Sequence, residues 1–321
     1  MGAVVSAKRA SHPTLPNFIT LPQKEGAPAY TRPGQFAARL GLEFEPLFVQ
    51  GDSQARLKFQ IPALTMQDGL TPARLQRRHQ LLRQFNAMRR GVDQLSSTAD
   101  WNARQQRALS LLLNSVTTEA FDVAREPEVL RERYGQTVNG MSLLAARRLV
   151  EAEVPFITVF WRGDPERLNK KCASGGGWDT HGNNFNCLQE DLLPEFDRAF
   201  SALIEDLANR GLLETTLVLV SSEMGRKPKI GDPRSGGASG AGRDHWTHCL
   251  TNVLAGGGIR GGQTYGSSDR FAQYPAIHPL TPSDITKTVY YAMGVDDLEA
   301  VDPQGRPYNL LAEGKPLTTL F

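Results

Sequence analysis

Two hydrophobic periods divide the chain. Between residues 72 and 152 the apolar positions recur at helical spacing, and beyond 152 they gather into short continuous runs separated by turns. The helical block opens at Thr71-Pro72, a cap followed by proline at the first helical position, and residues 73–95 are dense in helix formers. Ser97 or Thr98 precedes a second helix to about residue 122, and Glu126–Arg133 and Ser142–Ala152 give two more. After the change of period, Pro155–Trp161 reads as a buried strand. Residues 186–210 read as a helix, with Leu188, Leu192, Phe196, Phe200, Leu203, Ile204 and Leu207 on one stripe and Gly211 as its stop. Thr215–Ser221 is a continuous apolar run of the kind buried on both faces of a parallel sheet. A glycine-rich loop, Gly231–Gly242, leads to a strand at Leu250–Ala255 and a helix at Pro282–Met293 capped by Thr281 or Ser283.

This order predicts an α/β fold: a mostly parallel sheet flanked by helices, with 72–152 as a helical insertion packed as its own layer. The strands at 155–161 and 215–221 should be neighbours or nearly so. Residues 1–70 carry only short β-like pieces, Phe18–Leu21 and Leu57–Phe59 among them, between prolines at 13, 16, 22, 28 and 33, and give no more than irregular α+β structure. With 321 residues, one elaborated domain spanning 1–321 accounts for the whole.

Composition narrows the classes. No apolar run approaches the ~18 residues of a membrane span, so no membrane partner is expected. A net charge of +2 gives no reason to expect a polyanion. The arginines between Arg74 and Arg90 share their stretch with Leu75, Leu81, Leu82, Phe85 and Met88, the pattern of a solvated helix face, and no nucleic acid is expected. Three cysteines, Cys172, Cys187 and Cys249, without a Cys-x-x-Cys pair argue against a thiolate zinc site or a disulfide framework and leave room for a single disulfide.

The residues able to hold a metal lie in loops beside the apolar runs. Asp179 and His181 stand two apart in the glycine-rich segment Gly177-Trp178-Asp179-Thr180-His181-Gly182, so both can reach one point. Such oxygen and nitrogen donors suit Zn²⁺ or Mn²⁺ better than Ca²⁺ or Mg²⁺, and the alternative is a hydrogen bond that stabilises the loop. Glu223 follows the run 215–221, at the end of the strand where open α/β sheets bind ligands, or else pairs with Arg226 as a salt bridge. Asp244-His245 precedes the next strand, which places it at the wrong end unless the loop recrosses the sheet or that strand is antiparallel. Asp179, His181, Glu223 and His245 are expected to converge on one divalent cation, with Asp244 as a further ligand and Arg226 and Arg243 pairing with an anionic group. His248 and His278 read as a packed and a loop histidine, and Ser221 and Ser222 as strand-end hydroxyls. No Gly-x-Ser-x-Gly, no phosphate-binding Gly-x-x-x-x-Gly-Lys-Ser/Thr and no His-Glu-x-x-His is written in the chain. A two-carboxylate glycosidase built on Glu223 and Asp244 is a distant alternative.

These blocks, with Ser6-Ala7-Lys8-Arg9 and Leu15–Pro22 upstream and Gly305-Arg306-Pro307-Tyr308 downstream, resemble the DUF1501 family over essentially the whole chain. That family is common in planctomycete-type bacteria and is grouped with the alkaline phosphatase and sulfatase superfamily. The resemblance implies an alkaline phosphatase-like core and makes His245 the last metal histidine, Asp179 and His181 the earlier ligands, and Glu223 the counterpart of the aspartate in an Asp-His pair. Met224 stands where that pair has its histidine, a poor ligand for hard cations, and Asp284-Ile285-Thr286 replaces a frequent Asp-Leu-His. The superfamily's first strand, with an aspartate ligand and the nucleophile, has no counterpart here, so the chain is expected to be an incomplete, amino-terminally truncated member. Full-length relatives often carry a twin-arginine export signal. The implied function is metal-dependent hydrolysis of a small-molecule or glycan phosphate or sulfate ester, and the alternative is a catalytically silent binding or scaffold protein that keeps the fold.

Overall fold

The computed structural model describes residues 1–12, 14–27, 30–32, 34–52, 55–62, 69, 71–88, 119–162, 168, 177–231, 242–302 and 304–321. The fold is mixed α/β, built on a small parallel sheet of three strands with helices on both faces. Helix α1 (Gly2–Lys8) leads to β1 (Phe18–Leu21), the central strand, which pairs with β2 (Leu47–Phe48) on one side and β3 (Phe156–Val159) on the other. The segment that reads as irregular α+β thus supplies the middle of the sheet. Both ladders are parallel, with Ile19 opposite Leu47 and Ile157.

Alternation along the strands explains the layers. Ile19, Leu21, Ile157 and Val159 point into the main core, against Met141, Leu144 and Leu149 of α4 (Val138–Glu151) and Ala199, Leu203 and Leu207 of α5 (Leu193–Asn209). α3 (Glu128–Tyr134) packs on both of these helices. On the opposite face Phe18 meets Phe156 edge-on at 5.4 Å. There α1 lies so close that a Cβ on Gly2 would stand 2.5 Å from the Phe18 ring, so glycine is required at that crossing. Phe156 joins Val5 of α1, Tyr290 of α6 (Pro282–Ala292) and Val295 in a second apolar cluster.

The expected helices are present where they are described. α2 spans Pro72–Met88, α3 and α4 match the segments read at 126–133 and 142–152, and α5 follows a helical turn at Asn184–Cys187 and a π turn at Leu188–Leu192. The second helix read at 97–122 falls mostly outside the described residues, as does most of the loop at 231–242. α4 lies in the same core as the sheet, covering one face. It is held there by a charged network in which fully buried Arg147 stands between Glu126, Glu151 of its own helix and Asp206 of α5. Arg148 and Arg210 balance the remaining charge.

One expectation about the sheet needs correction. β4 (Val218–Val220) does not pair with β3 among the described residues; its ladder partner is β7 (Val253–Ala255), and that pairing is antiparallel. The parallel sheet is the three-stranded one, and β4–β7 is a separate two-stranded antiparallel ladder. Val218 still packs against the core that holds Ile157 and Val159, so the two strands cover a common interior without sharing hydrogen bonds. None of the described helices is long and apolar enough to cross a membrane. Cys187 is disulfide-bonded and Cys249 is a free thiol.

Candidate metal centre

The antiparallel β4–β7 pairing decides where the loops go. Val220 at the end of β4 lies opposite Val253 at the start of β7, so the chain between them leaves and returns at one end of the ladder. Within that excursion β5 (Gly225–Arg226) and β6 (His245–Trp246) form a two-residue ladder, with Arg226 opposite His245 and Gly225 opposite Trp246. Gly225 sits against the next turn: a Cβ there would fall 2.2 Å from the Cys249 carbonyl oxygen.

The other half of the site comes from the loop after β3. Trp178 anchors it, edge-on to Phe196 of α5 at 6.1 Å, and Phe196 in turn meets Trp161 at 5.2 Å. The His181 N–H donates to the Asp179 carbonyl (3.1 Å), closing a three-residue turn that brings the two side chains together. Between them Thr180 is buried, and its hydroxyl donates to Asn184 Oδ1 at 2.6 Å, tying the turn to the helical turn that follows.

Three donor atoms meet at the junction of the two halves. Asp179 Oδ1 lies 2.7 Å from His245 Nε2 and 2.9 Å from His181 Nε2, and the two Nε2 atoms are 3.1 Å apart. Two imidazole N–H groups can fill at most two edges of such a triangle, whereas one cation at its centre engages all three lone pairs. With bonds of ~2.1 Å, ligand atoms at right angles stand ~3.0 Å apart and those at the tetrahedral angle ~3.4 Å. The observed spacing is that of three ligands on one face of an octahedron. Asp179 and His245 side chains are each 42% exposed and His181 23%, so the remaining coordination directions open to solvent.

The other sequence-identified residues take different places. Asp244 Oδ1 accepts the His245 backbone N–H (2.8 Å) and lies 3.7 Å from His181 Nδ1, on the ring edge away from the triangle. Glu223 is outside the cluster: its side chain is 71% exposed and, among the described residues, pairs with Arg32 only at 4.0 Å. The chain turns at Ser222, whose hydroxyl donates to the Met224 carbonyl, and enters β5 only at Gly225, so Arg226 faces His245. Arg226 donates to Asp179 Oδ1 and to the Trp178 carbonyl, both at 2.8 Å, and to the Arg243 carbonyl at 3.1 Å. Arg243 donates to the Lys227 and Arg226 carbonyls at 2.7 and 3.0 Å. Burial, and then the neighbouring Arg226 charge, push the Arg243 guanidinium below its ordinary value. Burial alone would raise the Asp179 carboxyl, but hydrogen bonds from His245 and Arg226, with the charges of His181 and Arg226, outweigh it and hold the group below the usual aspartate range. His248 is exposed and lies against Trp246 and Tyr274, and His278 sits at φ 46° beside Tyr265.

The role of Trp178 and of the Thr180–Asn184 bond escaped the sequence reading. The four-residue spacing of a hydroxyl and an amide at the start of a helical turn is the available signal for that bond. The family model described as "Protein of unknown function (DUF1501)" matches residues 1–321. The chain belongs to the DUF1501 family. No curated protein and no solved structure matches it. The DUF1501 description names no activity, and the chemistry of the chain must be argued from the triangle of Asp179, His181 and His245, a group able to hold a metal ion.

Proposed function

We propose that this DUF1501 protein holds one divalent cation, Zn²⁺ or Mn²⁺, on Asp179, His181 and His245 and directs it at phosphate or sulfate esters of small molecules or glycans. The observation that carries the reading is the closed triangle of one carboxylate oxygen and two imidazole nitrogens, all within 3.1 Å of one another. A cation there supplies Lewis-acid polarisation of a phosphoryl or sulfuryl oxygen. The protein's part is a site with open directions, which distinguishes catalytic from structural centres. Arg226 and Arg243 add positive potential beside it, and their charges suit an anionic ester over a neutral one. The order Asp-x-His then Asp-His along the chain favours kinship with the alkaline phosphatase and sulfatase superfamily, and Glu223-Met224 between them departs from its Asp-His pair. Asp244, behind the His181 ring, serves as an outer carboxylate in this reading.

A second reading, binding without turnover, has a specific observation in its favour. Glu223 points to solvent and Met224 offers only a thioether, so the position that would build a second cation site presents no matching ligand set. One experiment separates the two. Purified protein loaded with Zn²⁺ or Mn²⁺ is assayed on an aryl phosphate and an aryl sulfate, beside Asp179→Ala and His245→Ala. Turnover above that of metal alone, lost in both variants, supports the hydrolase. Saturable metal binding without turnover supports the binding protein, and turnover unchanged in both variants contradicts the assigned site.

A further inference from the structure

Arg226 meets both halves of the centre at once. Its Nη2 donates to the Trp178 carbonyl and to Asp179 Oδ1 in the loop that also bears His181, while its Nη1 donates to the Arg243 carbonyl, two residues before His245. These segments come from opposite sides of α5 in sequence, and the β5–β6 ladder that presents His245 is only two residues long in each strand. So short a ladder fixes little by itself. A guanidinium carries its donors in a rigid planar fork, whereas an ammonium on a flexible stem is a single point of charge. Only the fork can satisfy three acceptors at 2.8, 2.8 and 3.1 Å without moving either segment.

We infer that Arg226 is the positioning residue of the metal centre, a clamp that sets the distance between the Asp179–His181 loop and His245 and turns Asp179 Oδ1 toward the two imidazoles. This rests on the proposed cation site. Arg226 is not itself a ligand. It faces His245 across the ladder register, and the oxygen it grips is the one both histidines approach. Outer groups that orient a ligand commonly govern metal affinity by 10–100-fold.

The test uses the full chain as wild type, Arg226→Lys and Arg226→Gln, titrated with Mn²⁺ by calorimetry and with Co²⁺ by visible absorption. The expected order of affinity is wild type, then Lys about tenfold weaker, then Gln about 100-fold weaker, with a Co²⁺ band at saturation that changes shape in both variants. Equal affinity in either variant overturns the inference. So does weaker binding with an unchanged Co²⁺ spectrum, because a residue that merely stabilises the fold would leave the occupied centre as it was. Should Arg226→Gln fail to fold, judged by circular dichroism, the Lys variant decides by the same two readouts. If the wild type takes up no cation in a saturable way, the metal reading falls and the clamp with it.

Discussion

Replacing Arg147 by Met should cost about 3–5 kcal/mol, the range seen when one partner of a buried ion pair is removed and the other is left without compensation. Arg147 has no exposed side-chain surface, and its Nε and Nη2 lie 2.8 Å from Asp206 and Glu126, both nearly buried. Nη1 meets Glu151, and the Tyr134 hydroxyl donates to the same Asp206 oxygen at 3.0 Å. Arg148 and Arg210 remain in the variant and soften the loss without replacing the centre of the network. At ~2.1 cal/mol/K of unfolding entropy per residue, the 321 residues carry about 0.7 kcal/mol/K, so Tm should fall by about 4–7 °C. The pH dependence supplies a second check. Burial by itself raises the Glu126 carboxyl, but hydrogen bonds from Arg147 and Arg148 and their charges bring it below its ordinary value of 4.5. In the wild type this contribution is complete above that ordinary value and is lost as the pH falls through the lowered folded value. In Arg147→Met burial gains the upper hand, so the penalty is largest at pH 7 and shrinks toward pH 4 as the stranded carboxylates protonate. Calorimetric melts at pH 7 and pH 4 decide it. A drop under 1 °C, or one that does not change with pH, would refute the reasoning.

Two further perturbations follow from single contacts. Asp284→Ala removes a reciprocal cap, in which Thr281 donates through both its N–H and hydroxyl at 2.7 Å and Lys315 N–H docks on the other oxygen, and should cost about 1–2 kcal/mol by thermal melt. Those hydrogen bonds, the Thr281 hydroxyl first, lower the Asp284 carboxyl from 3.8, so the difference from wild type should be full above that value and close as the pH drops below it. Gly225→Ala drives a methyl against the Cys249 carbonyl at 2.2 Å, so the β5–β6 ladder must shift. Metal affinity should fall at least tenfold, in proportion to the outer-sphere disturbance, and an affinity within twofold of wild type would show that the ladder does not set the centre.

The elements that could be read from the sequence are those whose information is local. Thr281 and Pro282 with Asp284 three residues after the cap declare a helix start by themselves, and Leu203 and Leu207 of the apolar stripe declare which face of α5 is buried. β1 is different: four residues between prolines carry no periodicity, and their place at the centre of the sheet depends on partners about 30 and 140 positions away. The site divides in the same way. Asp179, His181 and His245 stood out as oxygen and nitrogen donors clustered in loops beside apolar runs, and the structure brings these three together. Glu223 shared that signal, but which side chain after β4 turns inward is set by the register of a two-residue ladder, where Arg226 and not Glu223 faces His245. No residue pattern encodes so short a pairing. The disulfide at Cys187 was equally hidden, since three cysteines at uneven spacing do not state which are joined.

In the proposed centre Asp179, His181 and His245 hold one cation together. Calorimetric titration of the metal-free chain with Zn²⁺ and with Mn²⁺, repeated on Asp179→Ala, His181→Ala, His245→Ala and Glu223→Ala, addresses it without reference to any substrate. One site per chain is expected, lost in each of the first three variants and retained within a fewfold in Glu223→Ala, whose side chain lies outside the triangle. Saturable binding that survives the loss of either histidine, or that disappears with Glu223, would contradict it.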